Sequence, residues 1–489
     1  RAARCLSEPC AQDSAARPPW RGGEPRRARA PGGSRPAPTP DRRPPDRRPR
    51  RLLEAPVAPL ILRLAWPNML IMLVQAATAL IDTWWLAKLG SDALAGMALV
   101  FPFVMLIGTI SGGSVGAGIS ACVARALGAR QPAEASAVLL HGLIINGALG
   151  LLLTAIMLLF GRQIFAATGG RDGALEAAVT YSNVLFAGNT LFWLMNGFAG
   201  VIRGSGNMLV PAMVTCGGVL IMIPLSPCLI FGLGPFPALG IAGSALSLVT
   251  YYFVGAAILA WYVLSGRCIV RFAWSRLQLS IFASVLSIGA LGAIISLQMN
   301  LTAAINNAYV ATVAGASAVA GFGTAARLEF LMVPIGFGLG GPLVALVGTS
   351  IGAGDKARAL RIVMAGSAIA FAVTGTIGLI AAIFPEAWLH LFTSEPNAVA
   401  VGSSYLRIVG PTFGFYGLGV ATYFALLGAR KLFWPVTASF VRTVLAIGGG
   451  ACAVLIFGSL NAMLGVLAAA MILFGVIPLL AIRDASWRS

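Results

Sequence analysis

Asp82 is the residue of this chain best placed to do chemistry. It stands inside 60–88, a stretch otherwise apolar enough to cross a bilayer. A carboxylate at the centre of a membrane costs about 2.5–3.5 kcal/mol on insertion scales, and such groups mark cavities and ion pathways. Asn68, Gln75 and Asp82 are spaced by seven, and Thr78 lies four before Asp82. At about 3.6 residues per turn all four fall on one stripe, which must face protein or water rather than lipid. A lone carboxylate there can bind and release a cation. The structural alternative is a buried carboxylate bonded to Thr78 and to neighbouring helices.

Other polar side chains in apolar surroundings are candidates to line a substrate cavity. These are Asn189 and Asn196 in a fourth apolar segment and Gln298, Asn300 and Asn307 in a seventh. Such stripes can equally well join helices. Arg327 and Glu329 are two apart, so they do not face each other on a helix and need different partners. Glu329 is open to two readings, a cation or substrate ligand or part of a buried network. Arg442 is read as a partner within its own half or a snorkelling residue rather than a substrate ligand, and Trp84 and Trp85 as an interfacial belt. The seven cysteines show no CxxC spacing, and His141 and His390 are isolated, so metal, cofactor and enzymatic chemistry find no support. The glycine-rich turn at Arg203 lacks the strand-then-helix setting of a phosphate loop and is read as a tight turn.

The elements that must position these groups are membrane helices. Of 489 residues 58% are hydrophobic and 10% charged, with mean hydropathy +0.86. That composition defines an all-α polytopic membrane protein. Twelve spans are expected, at 60–87, 93–121, 137–160, 177–201, 207–231, 239–264, 282–309, 317–349, 360–384, 400–426, 434–458 and 461–482. The net charge of +18 does not mean nucleic acid: residues 1–51 hold 14 Arg against 5 acids. Beyond them, fourteen basic residues fall in alternate loops, and the intervening loops carry only Lys88, Arg162 and Arg171. Both termini are therefore expected on the cytoplasmic side of a bacterial-type plasma membrane. The chain opens on Arg, and residues 1–55, rich in Arg and Pro, are expected to be a disordered tail that need not belong to the mature protein.

A repeat runs through the rest. Leu127-Gly128-Ala129 resembles Ile351-Gly352-Ala353 at an offset of 224, and Gly90 and Gly96 match Gly315 and Gly321 at 225. Two six-helix lobes follow, 56–264 and 282–482, joined by a basic loop at 265–281 and closed by a tail at 483–489. An even span count gives both lobes the same orientation, so their pseudo-two-fold axis runs along the membrane normal. At the same offset Asp82 falls on Asn307, so the second lobe has no acidic twin.

Four stretches carry a resemblance to the multidrug and toxic compound extrusion (MATE) family. They are Pro67 with Ile81-Asp82-Thr83 and Leu89-Gly90; Arg203-Gly204-Ser205-Gly206-Asn207 through Pro211; Phe231-Gly232 through Pro237 to Gly243-Ser244; and Arg327-Leu328-Glu329 through Pro334 to Gly352. The resemblance implies a monomeric secondary antiporter that exports small amphipathic or organic-cation compounds by alternating access. It also implies contact with membrane lipids. In the DinF-like branch, to which this chain looks closer than to NorM, the acid matching Asp82 couples transport to H⁺ or Na⁺, and the proline matching Pro67 lets the first span bend. Proline removes one backbone hydrogen bond, which makes such a bend physically reasonable. That branch also places Asn and Asp in the fifth span and a hydroxyl in the sixth. Here the matching residues are Met222, Ser226 and Ser244. One carboxylate with two hydroxyls is a poor cage for Na⁺, so H⁺ is expected as the coupling ion. A Na⁺-coupled exporter, a lipid-precursor flippase of the same superfold and a non-transporting scaffold are the rival readings.

Overall fold

The computed structural model describes residues 52–483, apart from the side chains of residues 296, 300, 316, 317, 330, 331, 481 and 483. The expected cavity residue Asn300 is among these, and most of the expected tail precedes residue 52. The described chain is all helix and irregular connection. In a bilayer this is required, because every backbone N–H and C=O must find its partner inside the segment.

The first lobe holds α1 (Val57–Ala87), α2 (Ser91–Gly128), α3 (Pro132–Ala167), the broken helix α4 (Asp172–Ala187 and Asn189–Gly204), α5 (Leu209–Phe231) and α6 (Ile241–Leu264). The second holds α7 (Leu279–Gly315), α8 (Ala318–Gly352), α9 (Lys356–Ile383), α10 (Pro396–Val409 continued by Phe413–Gly428), α11 (Phe433–Leu455) and α12 (Leu460–Leu479). Among the described residues ten of these helices are long and apolar enough to span, and α4 makes an eleventh. The twelfth, α10, is interrupted by a single tight turn at Gly410–Thr412, where Pro411 cannot donate.

Three features depart from the expected spans. The fourth bends by 46° at Gly188 rather than running straight. α2 widens into a π-helical turn at Thr109–Val115, around Gly112 and Gly113, and α11 does so at Leu445–Gly449. Residues 52–55, read above as the end of the tail, are held. Leu52 is buried, and the Arg358 guanidinium at the head of α9 donates to the carbonyls of Leu52 (2.9 Å) and Ala55 (2.6 Å).

The repeat is visible in the packing. Gly90 and Gly315, at φ +112° and +81°, turn the chain from α1 to α2 and from α7 to α8 in the conformation that favours glycine. Gly96 packs on Ala177–Ala178 of α4, and its counterpart Gly321 packs on Ala398 of α10.

The two lobes meet along α1, α2, α7 and α8. At one end the meeting is reciprocal. A Cβ on Gly128 would overlap the Thr349 carbonyl, and a Cβ on Gly352 would overlap the Arg125 carbonyl. Both partners obey the 224 offset. Arg125 adds a hydrogen bond across the lobes, Nη1–H to the Gly428 carbonyl at 3.3 Å. Further along, Val115 and Ser114 of α2 pack on Gly289 and Gly292 of α7.

Helix α1 belongs to both lobes. Leu52, Ile61 and Ala65 are buried against Leu339, Leu343 and Leu346 of α8 and Ile362 of α9, whereas Leu86 is buried against Met97 of α2 and Ile230 of α5. Pro67 lies inside the helix between these two attachments, and the helix runs through it unbroken. Its ring leaves the Arg63 carbonyl without the usual donor.

Candidate functional site

Three helices of the first lobe converge on Asp82. The end of α5 and the start of α6 approach so closely that a Cβ on Gly243 would press into the Leu229–Ile230 peptide. The loop between them turns back through Gly232 and Gly240, both at positive φ. This hairpin brings Ser226 of α5 and Ser244 of α6 to the same carboxylate. Ser226 Oγ donates to Asp82 Oδ1 at 2.8 Å, and Ser244 Oγ donates to Asp82 Oδ2 at 2.7 Å. All three residues are buried, Asp82 at 4% exposure. Charge-assisted bonds of this kind are about twice as strong as neutral ones. Ser244 also lies in the first turn of α6, where the helix dipole favours a negative charge.

Tyr181 of α4 completes the surround and was not picked out from the sequence. Its ring is buried, and its hydroxyl lies against Ser244 within the field of Asp82. Tyr252 of α6 is also within that field. A cavity of about 20 Å³, room for about one water, lies beside it, lined by Val104, Ile107, Asn189, Phe192 and Tyr252.

The stripe on the first span does not share one environment. Asn68 turns to the other lobe, where its amide donates to the carbonyls of Phe337 (2.9 Å) and Gly338 (3.3 Å) of α8. Thr78 donates to Val74 of its own helix at 2.7 Å and not to Asp82. Gln75 is exposed, near Tyr251. Seven-residue spacing drifts around a straight helix, so residues fourteen apart need not meet the same neighbour.

Several expected cavity residues are engaged in joining helices. Asn189 donates to the Gly150 carbonyl of α3 (3.2 Å). Asn196 donates to Phe192 of its own helix (3.1 Å) and lies against Gly112 in the π turn of α2. Gln298 accepts from Ser439 of α11 (3.0 Å). Asn307, the counterpart of Asp82, is exposed.

Glu329 falls in a network rather than at an open ligand site. Arg442 Nη2 donates to Glu329 Oε1 at 2.7 Å, and the Tyr405 hydroxyl donates to Oε2 at 3.1 Å. Arg442 also lies over the rings of Tyr416 and Phe474. The pair ties α8 to α11 within the second lobe, and Arg327 finds a different neighbour, the ring of Phe392. With side-chain exposures of only 15% and 20%, removing one partner strands the other's charge. Arg442→Met should cost about 3 kcal/mol, and adding Glu329→Gln should recover most of it. Thermal unfolding of the single and double variants in detergent checks this; additive losses would mean the two groups act independently.

Two equivalent lobes that meet across a shared seam, with a buried carboxylate held by hydroxyls in one of them, have the architecture of a secondary membrane transporter. The MatE family profile matches residues 67–228 and, separately, residues 292–451, once in each lobe. The chain belongs to the MatE family of transporters. It is 27% identical over 403 residues to the FAD transporter of Shewanella oneidensis, covering 81% of this chain and 87% of that one. It is 26% identical over 391 residues to a probable multidrug resistance protein NorM of Thermotoga maritima, covering 78% and 82%. A solved structure described as an outward-facing multidrug resistance MATE family transporter of the MOP superfamily superposes with a TM-score of 0.80 at 26% identity, covering 90% of this chain and 98% of its own.

Proposed function

We propose that this protein is a multidrug exporter that moves small amphipathic or cationic compounds out of the cell in exchange for H⁺, with Asp82 as the proton carrier. The observation that carries the reading is the Asp82 carboxylate held by two hydroxyls, with no second acid among its hydrogen-bond partners. A dehydrated Na⁺ wants several oxygen ligands and compensating charge, whereas a proton needs one carboxylate. An acid in the first span also favours the DinF-like branch, since the tenth span carries none. The concentration of basic residues in alternate loops supports cytoplasmic termini in a plasma membrane, and the proposed transport unit is a monomer.

The hydroxyls give the proton a mechanical effect. An ionised carboxylate only accepts hydrogen bonds, whereas a protonated one must donate from one oxygen. Ser226 then has to accept, and its own hydrogen needs a new acceptor. Pro227 has no N–H, so the Ile223 carbonyl, three residues before Ser226, is free to take it. The upper part of α1 thereby loosens from α5 and α6, while its lower part stays packed on α8 and α9. Pro67, between the two, takes up the bend.

The S. oneidensis relative is named for FAD, whose phosphates would call for unpaired cations. Arg442, partly buried in the second lobe, is already held by Glu329, and Arg358, the buried cation there, by the carbonyls of Leu52 and Ala55, which favours a neutral or cationic substrate. Purified protein in proteoliposomes, loaded with a fluorescent dye cation, tests the proposal. A pH gradient should drive transport and a Na⁺ gradient should not; transport driven by Na⁺ alone would reverse the assignment of the ion.

A further inference from the structure

The start of α1 is wedged between the lobes at the end where Gly128 and Gly352 meet their partners. Leu52, just before the helix, touches both sides. Toward the second lobe it is buried in an apolar cluster with Val347 of α8 and with Ala359 and Val363 of α9. Toward the first lobe it rests on Gly206, in the glycine-rich turn between α4 and α5. Gly206 stands at φ +82°, and a Cβ there would come within 2.6 Å of Leu52 Cδ1. A side chain at this position would strain the backbone and displace the leucine. Beyond the turn, buried Met208 brings its sulfur beside Gly341 of α8.

The two grips differ in kind. On the second-lobe side the backbone itself is bound. Arg358 Nη2 donates to the carbonyls of Leu52 (2.9 Å) and Ala55 (2.6 Å), and Nε donates to Leu52 at 3.3 Å. Hydrogen bonds from a charged donor are about twice as strong as neutral ones. Arg358 is buried in the first turn of α9, where the helix dipole disfavours a cation; the carbonyls it holds give it a reason to be there. On the first-lobe side the grip is the apolar contact of Leu52 with Gly206. The start of α7, the counterpart of α1, is crossed over in the same way. The Gln278 N–H donates to His141 Nε2 of α3 at 2.8 Å, and Ile288 lies on Gly118 of α2. The first helix of each lobe thus begins in the other.

We propose that the contact of Leu52 with Gly206 is the bolt of a gate between the lobes. When this end opens, the contact parts, and Arg358 carries the head of α1 away with the second lobe. The half of α1 that bears Asp82 stays on the first lobe, and Pro67 lies between the two. The gate needs only the two arrangements that a transporter of this class alternates between, whatever the substrate or coupling ion.

Double electron–electron resonance on the full chain in nanodiscs tests this. The seven native cysteines are changed to Ala, and spin labels are attached in pairs to Ala58→Cys, Leu209→Cys and Ala357→Cys, all at exposed positions. The Leu209–Ala357 pair reads the separation of the lobes, and Ala58 marks the head of α1. At acid and neutral pH, with and without a dye cation, the Ala58–Leu209 distance should lengthen in step with Leu209–Ala357. Ala58–Ala357 should keep one narrow distribution, and Arg358→Gln should broaden it. Ala58–Ala357 lengthening in step with the lobes, all three distances fixed under every condition, or an Arg358→Gln variant with Ala58–Ala357 unchanged would overturn the proposal. No gradient is imposed, so the result is independent of which ion drives transport.

Discussion

Asp82→Asn should reduce gradient-driven efflux to the level of protein-free liposomes, with the protein still folded and inserted. The amide keeps the volume of the side chain and can still accept a hydrogen bond from Ser226 or Ser244, so the packing of α1 on α5 and α6 survives. It cannot exchange a proton, and the switch from acceptor to donor at Asp82 disappears. The change also removes a charge from membrane depth, which on insertion scales is favourable by up to about 3 kcal/mol. Thermal stability in detergent should therefore be equal to or above that of the wild type. Transport by Asp82→Asn at wild-type rate under a pH gradient would end the mechanism proposed for this site. A variant that loses both transport and folding would assign Asp82 a structural role instead.

The second large effect is expected at the seam between the lobes. Gly352→Ala places a methyl group against the Arg125 carbonyl, and that carbonyl is helix backbone already accepting from the Ala129 N–H and cannot turn aside. Overpacking of this kind costs about 1–3 kcal/mol, and at about 1.4 kcal/mol per tenfold the closed seam should lose roughly five- to 150-fold against an open one. Gly128→Ala should do the same, because its contact is the two-fold image. The protein carries its own reporter. Cys122 is buried beside Arg125, whose Nη2 donates to its sulfur at 3.3 Å. Maleimide labelling of Cys122, with Cys122→Ser as the blank, should rise in both glycine variants. Unchanged labelling would show that the seam accommodates the methyl without opening.

Much of this architecture was legible in the sequence, because membrane helices and internal repeats leave simple traces. Glycine pairs at a constant offset located both lobes, and the same glycines prove to be the turns and close crossings of the fold. Asp82 was legible because a charge in an apolar run is conspicuous. Its partners were less so. Ser226 and Ser244 came from the family pattern, since serine in a membrane helix is common and unremarkable. Tyr181 went unseen because a tyrosine among apolar residues looks like packing. Long-range pairing was out of reach: nothing near Glu329 announces Arg442, which lies 113 residues away. The bend of α4 and the π turn of α2 were missed as well, although Gly188 and the Gly112–Gly113 pair mark both.

The reciprocal seam of Gly128 and Gly352 has a consequence for how such a molecule can arise. An interface in which each side presents the same contact to the other is self-complementary, the kind formed by two identical subunits around a two-fold axis. Two separate copies of a six-helix chain could close on each other through it. Once the loop at 265–278 joins them into one polypeptide, the copies are free to diverge while the seam stays symmetric. Asp82 and Asn307, at matching positions in the two halves, show that divergence: a buried carboxylate held by two hydroxyls in one half and an exposed amide in the other.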